Sequence, residues 1–275
     1  MSTAEPITPL IQRVGAPNPS YWTLDGTNSY VIRRPGSSGS VVVDPGPHSR
    51  AHRRALRAGG PVELILLTHH HHDHSDAAPA LSWETGAPIR ALSPLHSHGA
   101  ENLRHNEIIR AGGCDIRVIA TPGHTADSAC FAVEEASTPG GAILTGDTLL
   151  GKGSPVIDEA DGSLAEYLRS LAWLETEEAG LALPGHGPTA RDVRELAASQ
   201  IRHTTARLTA ITQALRNLDI PAQADAATVE AVAGRLYGEL LDPRRPAVLM
   251  MTAAHLQHLA DEINSRALQR DASIS

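Results

Sequence analysis

The sequence predicts an α/β fold, and three observations predict it. Short apolar runs rich in Val, Ile and Leu, such as residues 62–67 and 142–145, have the length and residue preference of buried strands. Between them lie Ala- and Arg-rich stretches with helical period, near 49–58 and 192–218. Four of the strand-like runs end in a His or Asp beside Gly or Pro, so polar side chains are expected to converge on one rim of a sheet.

Taken in order, a Pro-rich entry precedes an early strand over 27–32, a hairpin turn at 35–39 and a second strand over 40–44. That strand ends in Asp44-Pro45-Gly46, where Asp44 either caps the turn or orients a nearby ligand. A helix over 49–58 and the strand 62–68 follow, and the strand runs straight into His69-His70-His71-His72-Asp73-His74. A helix opens over 75–82, and a short strand over 87–91 follows. His96, His98 and His105 fall in a polar stretch and read as unligated surface histidines. Strands over 116–120, 128–133, 142–145 and 181–184 come next, three of them leading to His124, Asp147 and His186. After the long helix 192–218 and a break at 219–223, two helical patterns, 226–237 and 247–263, make a small tail. The chain thus divides into a catalytic domain over 1–218 and a tail domain over 219–275.

With 275 residues and 41% hydrophobic content, a sizeable core is available; aromatics are only 3%, with a single Phe, so that core must be aliphatic. Net charge is −8, which provides no global basic field for nucleic acid phosphates. Cys114 and Cys130 form no framework and read as buried free thiols. Residues 1–6 lack a basic and an apolar targeting region and no run is long enough to span a membrane, so a cytoplasmic location is expected.

The hexapeptide points to a metal site, because neutral imidazole is the commonest zinc ligand and His69 and His71 can turn toward one point on a loop. The seven candidate ligands fall into two sets with a shared member. His69, His71 and His124 suit a first ion, and Asp73, His74 and His186 a second. Asp147 can span both, since a carboxylate has two oxygens. Two zinc ions are expected, and manganese, iron or cobalt can take the same donors. Such a pair makes water nucleophilic at neutral pH, so hydrolysis is the expected chemistry.

The segments Thr68-His69-x-His71-x-Asp73-His74, Pro122-Gly123-His124-Thr125, Gly146-Asp147 and Pro184-Gly185-His186-Gly187, in that order after Asp44, resemble the five motifs of the metallo-β-lactamase superfamily. The resemblance implies an αββα sandwich with the metals at one edge, a catalytic role for Asp73 besides ligation, and Asp44 and Thr68 as residues behind the ligands. Leu24 to Tyr30, Gly146 to Gly153, Ser163 to Leu171 and Ala254-His255-Leu256 resemble more narrowly the lactamase-beta-like endoribonuclease branch, which implies a winged-helix tail. His255 and His258 belong to that tail pattern and are expected to pack or cap. Di-iron flavoprotein oxidases of this fold carry Glu where His71 stands, and glyoxalase II usually continues with a second Pro-Gly-His where this chain has Ala126-Asp127-Ser128.

Three functions compete. The first is hydrolysis of a small ester, thioester or related acyl substrate, favoured by the acidic balance and scarce stacking aromatics. The second is single-stranded RNA cleavage, for which Arg191, Arg194, Arg202 and Arg207 either line a groove or form a solvated helix face. The third is a binding module with a structural metal, against which the complete ligand set argues, since structural zinc needs four closed ligands and no second ion. Substrate choice is expected in loops that include 92–113 and 149–162. Membrane partners are not expected, and the sequence leaves a homodimer open.

Overall fold

A computed structural model describes residues 4–135, 138, 140–178, 180–239 and 244–272. Two sheets face each other. The first has six strands in sequence order: β1 (Ala4–Pro6), β2 (Ile11–Gly15), β3 (Asn28–Ile32), β4 (Ser40–Val43), β5 (Val62–Leu66) and β6 (Ile89–Arg90). The second has five, and β7 (Ile108–Ala111), β8 (Cys114–Ala120), β9 (Ala129–Val133), β10 (Ala142–Gly146) and β11 (Leu181–Pro184) lie in reverse order across it. Helices α1 (Arg50–Leu56), α2 (His72–Ser75) and α3 (Ala78–Thr85) follow strands of the first sheet; α4 (Leu164–Leu174), α5 (Val193–Leu218), α6 (Ala226–Tyr237) and α7 (Arg244–Ala272) follow the second.

The apolar runs lack a polar alternation because both faces of the central strands are covered. In β4, Val41 and Val43 join the core between the sheets while Val42 packs outward; in β5, Leu64 and Leu66 point inward and Ile65 outward. In the second sheet, Ile116, Val118, Phe131 and Leu144 face inward, and Ile119 and Ile143 meet Leu164, Tyr167, Leu171 and Val193 outside. The result is helix, sheet, sheet, helix in four layers, the sandwich the motif resemblance implied. Each fully buried Leu or Ile contributes roughly 1.5–3 kcal/mol, which suits a chain whose core is almost wholly aliphatic.

Helix starts follow local chemistry. The Ser163 side chain accepts from the Glu166 N–H to open α4, and Asp192 and Asp225 do the same for α5 and α6. The C-terminal half of α5 packs with α6 and α7 in a separate apolar cluster containing Ile211, Leu215, Val232 and Leu256, while Ala254 of α7 joins the outer core around α4. The tail expected to be a winged helix is helical, and no strand lies beyond residue 218 among the described residues. Part of its expected linker, residues 241–243, and residues 1–3 lie outside the described residues. His255 packs as expected, wholly buried with Nδ1 2.6 Å from the Met251 carbonyl, and His258 sits 3.8 Å from Glu262. Among the described residues, no helix is long and apolar enough to cross a membrane.

Strands β1, β2 and β7 and helix α4 extend what the sequence pattern predicts, and α7 runs from 244 rather than 247. Cys114 and Cys130 are buried free thiols, and burial pushes the Cys130 thiol up to about 11.

Packing fixes one motif residue by contact. Gly123 has φ +143°, and a Cβ there would stand 2.3 Å from the Cα of Tyr167 in α4. Gly123→Ala should therefore destabilise the protein by roughly 2–4 kcal/mol, through overpacking and a disfavoured backbone, read as a lower Tm. Gly234→Ala, on the exposed face of α6 with nothing within 4 Å, should instead stabilise by about 0.4–1 kcal/mol.

Candidate metal and active site

The site lies where several strands end together. Strands β4 and β5 run parallel, as do β10 and β11, and β8 shares the direction of β10 because both pair antiparallel with β9. The residues after β4, β5, β8, β10 and β11 therefore emerge at one rim. They are Asp44, the hexapeptide, His124, Asp147 and His186. The hexapeptide leaves β5 as a loop and closes into the single turn α2, which carries Asp73 and His74. Gly185 must be Gly for this convergence, since a Cβ there would meet Asp147 Oδ1 and His74 Cε1, each at 2.6 Å.

All seven predicted ligands come together. His69, His71 and His124 form one group able to hold an ion, and Asp73, His74 and His186 another, with His69, His74 and Asp147 close enough to form a third. Asp147 stands between the first two, with Oδ1 3.4 Å from His74 Nε2 and Oδ2 3.5 Å from His186 Nε2 and 3.8 Å from His124 Nε2.

The outward nitrogens decide what the inward ones can do. His124 Nδ1 lies 2.7 Å from the Val156 carbonyl and His186 Nδ1 3.2 Å from the Gly26 carbonyl, and a carbonyl only accepts, so both Nδ1 atoms carry hydrogen. His74 Nδ1 likewise donates to Asp44 Oδ2 at 2.9 Å. Thr68 Oγ1 gives its proton to Asp44 at 2.6 Å and therefore accepts from His69 Nδ1 at 3.0 Å. Four imidazoles thus turn Nε2 toward the centre. There His69 Nε2 is buried with no hydrogen-bond partner. His74 and His186 bring their Nε2 atoms within 3.2 Å of each other, and His124 Nε2 is 3.1 Å from His71 Nδ1. Lone pairs facing each other at such distances repel, and either a shared proton or a cation between the rings removes the repulsion. The donor set fits divalent metal, and imidazole with carboxylate suits zinc, manganese or iron alike.

Electrostatics agree. Burial and neighbouring imidazoles hold His69 well below its usual pKa, and burial lowers His124 and brings His71 down to about 4, which keeps all three in the neutral form that offers a lone pair. Burial acts in the same sense on His74 and His186, but Asp73 and Asp147, with Asp44 also beside His74, outweigh it and raise both. Burial would lift Asp73, yet His74 and His186 hold its carboxyl well below the usual range. The carboxylates demand positive charge, which protons on His74 and His186 supply and which a dication would supply by displacing them.

Asp44 and Thr68 sit directly behind the candidate ligands, and Asp44 makes the contacts an orienting residue would make, to His74 and to Thr68. Its Oδ1 also accepts from the Thr68 N–H at 2.8 Å, and the residue holds φ +50°, a conformation that L residues rarely adopt. His70 and His72 point away from the centre. His70 faces Asp127 and Asp161, and His72 is exposed beside Asp76. His96, His98 and His105 fall in none of the groups able to hold an ion among the described residues: His96 stacks on His70, His98 pairs its backbone with Ile89, and His105 accepts from the Ala120 N–H.

A cavity of about 490 Å³ opens over the site, with His71, Asp73, His124, Asp147 and His186 on its floor. Its walls correct one expectation. Loop 149–162 contributes Leu150, Lys152 and Asp161 among others, whereas no residue of 92–113 lines it. The remainder comes from Tyr21 and Trp22 and from the C-terminal helices through Arg207, Tyr237, Met250 and Met251. Of those residues, sequence reasoning named only Arg207 and missed Tyr21, Trp22, Tyr237, Met250 and Met251; the only signal for the last two was compositional, since they are the sole methionines after Met1. Of the four arginines that either line a groove or form a solvated helix face, Arg194 pairs with Asp192 at 3.2 Å and Arg207 lines the cavity.

The family model of the metallo-beta-lactamase superfamily matches residues 22–186. An atrochrysone carboxyl ACP thioesterase of Passalora fulva is 29% identical over 251 residues, covering 86% of this chain and 71% of that protein. A protein of the same name from Aspergillus fumigatus is 27% identical over 274 residues, covering 91% and 83%. The crystal structure of a metallo-beta-lactamase family protein from Thermus thermophilus superposes with a TM-score of 0.73 at 27% identity, covering 94% of this chain and 95% of that one. These relatives carry thioesterase names where names are specific, so the narrower endoribonuclease resemblance gains no support. With its motif residues gathered on one rim and the family model spanning them, the chain belongs to the metallo-beta-lactamase superfamily and is a hydrolase of that fold.

Proposed function

We propose that the protein is a metal-dependent thioester hydrolase acting on an acyl substrate with an apolar body. The observation that carries the reading is the set of inward-facing imidazole nitrogens and carboxylates on the floor of a cavity whose walls are largely apolar. Hydrolysis of a thioester, rather than another acyl bond, is supported by the names of the curated relatives. His69, His71 and His124 would hold one ion and Asp73, His74 and His186 a second, with Asp147 between them. Bound there, two divalent ions, zinc being a good match to the donors, would supply Lewis acidity and make water nucleophilic at neutral pH.

The chain's own groups do the rest. Asp73 lines the cavity as an anion, pinned through Oδ2 by the Thr27 hydroxyl at 3.1 Å, and serves as the acceptor that orients the attacking water. Tyr21, Trp22, Tyr237 and Met251 offer the acyl body apolar contact and limit the water around the thioester carbon. Residues 1–218 carry every candidate ligand, while the division at 219 leaves the tail to supply wall. A cytoplasmic location belongs to the same proposal and is supported by the two free buried thiols.

The test is release of free thiol from an acyl thioester by zinc-loaded protein, run beside a short single-stranded RNA. Thiol release that is removed by a chelator, restored by zinc, and lowered roughly 10²-fold or more in Asp147→Asn is the expected result. Cleavage of RNA without thiol release would overturn it. Asp44→Asn should weaken metal binding about 10–100-fold, because His74 loses its acceptor and Thr68 its anchor, read by zinc titration against a chromogenic chelator.

A further inference from the structure

Five imidazoles face the centre, and four have their outward nitrogen fixed by an acceptor within 3.2 Å: His69, His74, His124 and His186. His71 is the exception. Its side chain keeps 39% of its surface exposed, and its outward Nε2 faces only a carboxylate, Asp161 Oδ2, at 3.5 Å. That carboxylate is itself held. The same oxygen lies 3.3 Å from His70 Nε2, and His70 Nδ1 meets Asp127 Oδ1 at 2.8 Å. Asp127 in turn accepts from the Thr125 hydroxyl at 2.9 Å, and the His70 ring is stacked on His96. The backbone of Asp161 is stapled to the loop that carries His124, its carbonyl accepting from the Ala126 N–H at 2.9 Å, and two residues on the Ser163 N–H donates to the Gly123 carbonyl at 2.9 Å.

We propose that Asp161 is the positioning residue for His71, with His70 and Asp127 as its brace, so that the chain Asp127–His70–Asp161–His71 sets the aim of the least confined ligand. This rests on the metal-site reading above but not on the identity of the substrate. A half-exposed imidazole can rotate about χ1 and χ2. An acceptor behind Nε2 selects the tautomer with hydrogen on Nε2 and leaves Nδ1 as the free donor toward His124 and the centre. The arrangement also accounts for the otherwise idle second histidine of the hexapeptide: His70 has a carboxylate at each ring nitrogen and stands edge-on to the His71 ring, with His70, His71 and Asp161 offering ligand atoms within 4.8 Å of one another. Because Asp161 also lines the substrate cavity, loop 149–162 shapes both the cavity wall and the geometry of one ligand.

The experiment is metal binding by Asp161→Asn and His70→Ala, followed by zinc titration and by the visible absorption of the cobalt-substituted protein, with His72→Ala as the control. Asn keeps the size of Asp161 but removes its charge. The expected result is affinity for one of two ions lowered about 10–100-fold in Asp161→Asn, a smaller loss in His70→Ala, and a changed cobalt spectrum in both. The control, an exposed side chain outside the brace, should match the parent. Unchanged affinity and spectrum in both variants would overturn the proposal. So would a rise in KM alone in Asp161→Asn with metal binding intact, since that would make Asp161 only a cavity wall. Should Asp161→Asn fail to fold, His70→Ala decides by the same readouts. The zinc titration and the cobalt spectrum do not depend on thioester turnover, so a failed thioesterase assay leaves both standing.

Discussion

The Asp44 carboxylate is the interaction on which the site depends. It sits at the end of β4, in a backbone conformation that costs energy, and accepts from the Thr68 N–H, the Thr68 hydroxyl and His74 Nδ1. Through Thr68 it sets the tautomer of His69, and directly it sets that of His74. One buried anion therefore orients an imidazole from each candidate ion group and ties the ends of two neighbouring parallel strands together. Because Asp44 and His74 are both almost wholly buried, losing either partner leaves a buried polar group without compensation, which is more damaging than losing a surface pair.

The fold makes that carboxylate useful. Five strands from two sheets end at one rim, and each releases a short loop whose side chains need travel only a few ångströms to meet. The aliphatic core between the sheets fixes the separation of those ends, and the outer helices cover the faces that would otherwise be wet. The rigid layers place the floor of the cavity, while loop 149–162 and the C-terminal helices build its walls. Chemistry and selectivity thus rest on different parts of the chain, a division under which one metal site can serve many substrates.

Much of this was legible from residues alone, for identifiable reasons. The candidate ligands were readable because four of them share one His-rich hexapeptide after an apolar run, and His124, Asp147 and His186 each follow another such run and stand beside Gly, a local pattern that survives without knowledge of contacts. The pairing of Asp44 with Thr68 and His74 was only half legible: a carboxylate at a strand end also suits a turn, and the choice depends on partners 24 and 30 residues away in sequence. Strands β1, β2 and β7 were missed because they lie toward sheet edges, where one-sided burial and intervening polar residues weaken the pattern. The cavity wall was legible only where loop 149–162 and Arg207 supply it. Tyr21, Trp22, Tyr237 and Met251 come from distant segments and share no local signature.

The central proposal is that the imidazole nitrogens facing one another at the strand ends would hold two cations between them. Anomalous scattering from crystals of the zinc-loaded protein, collected on both sides of the zinc edge, tests it most directly. The account predicts two peaks, one among His69, His71 and His124 and one among Asp73, His74 and His186, with Asp147 between them. No peak, or a single peak at a site distant from these residues, would contradict it.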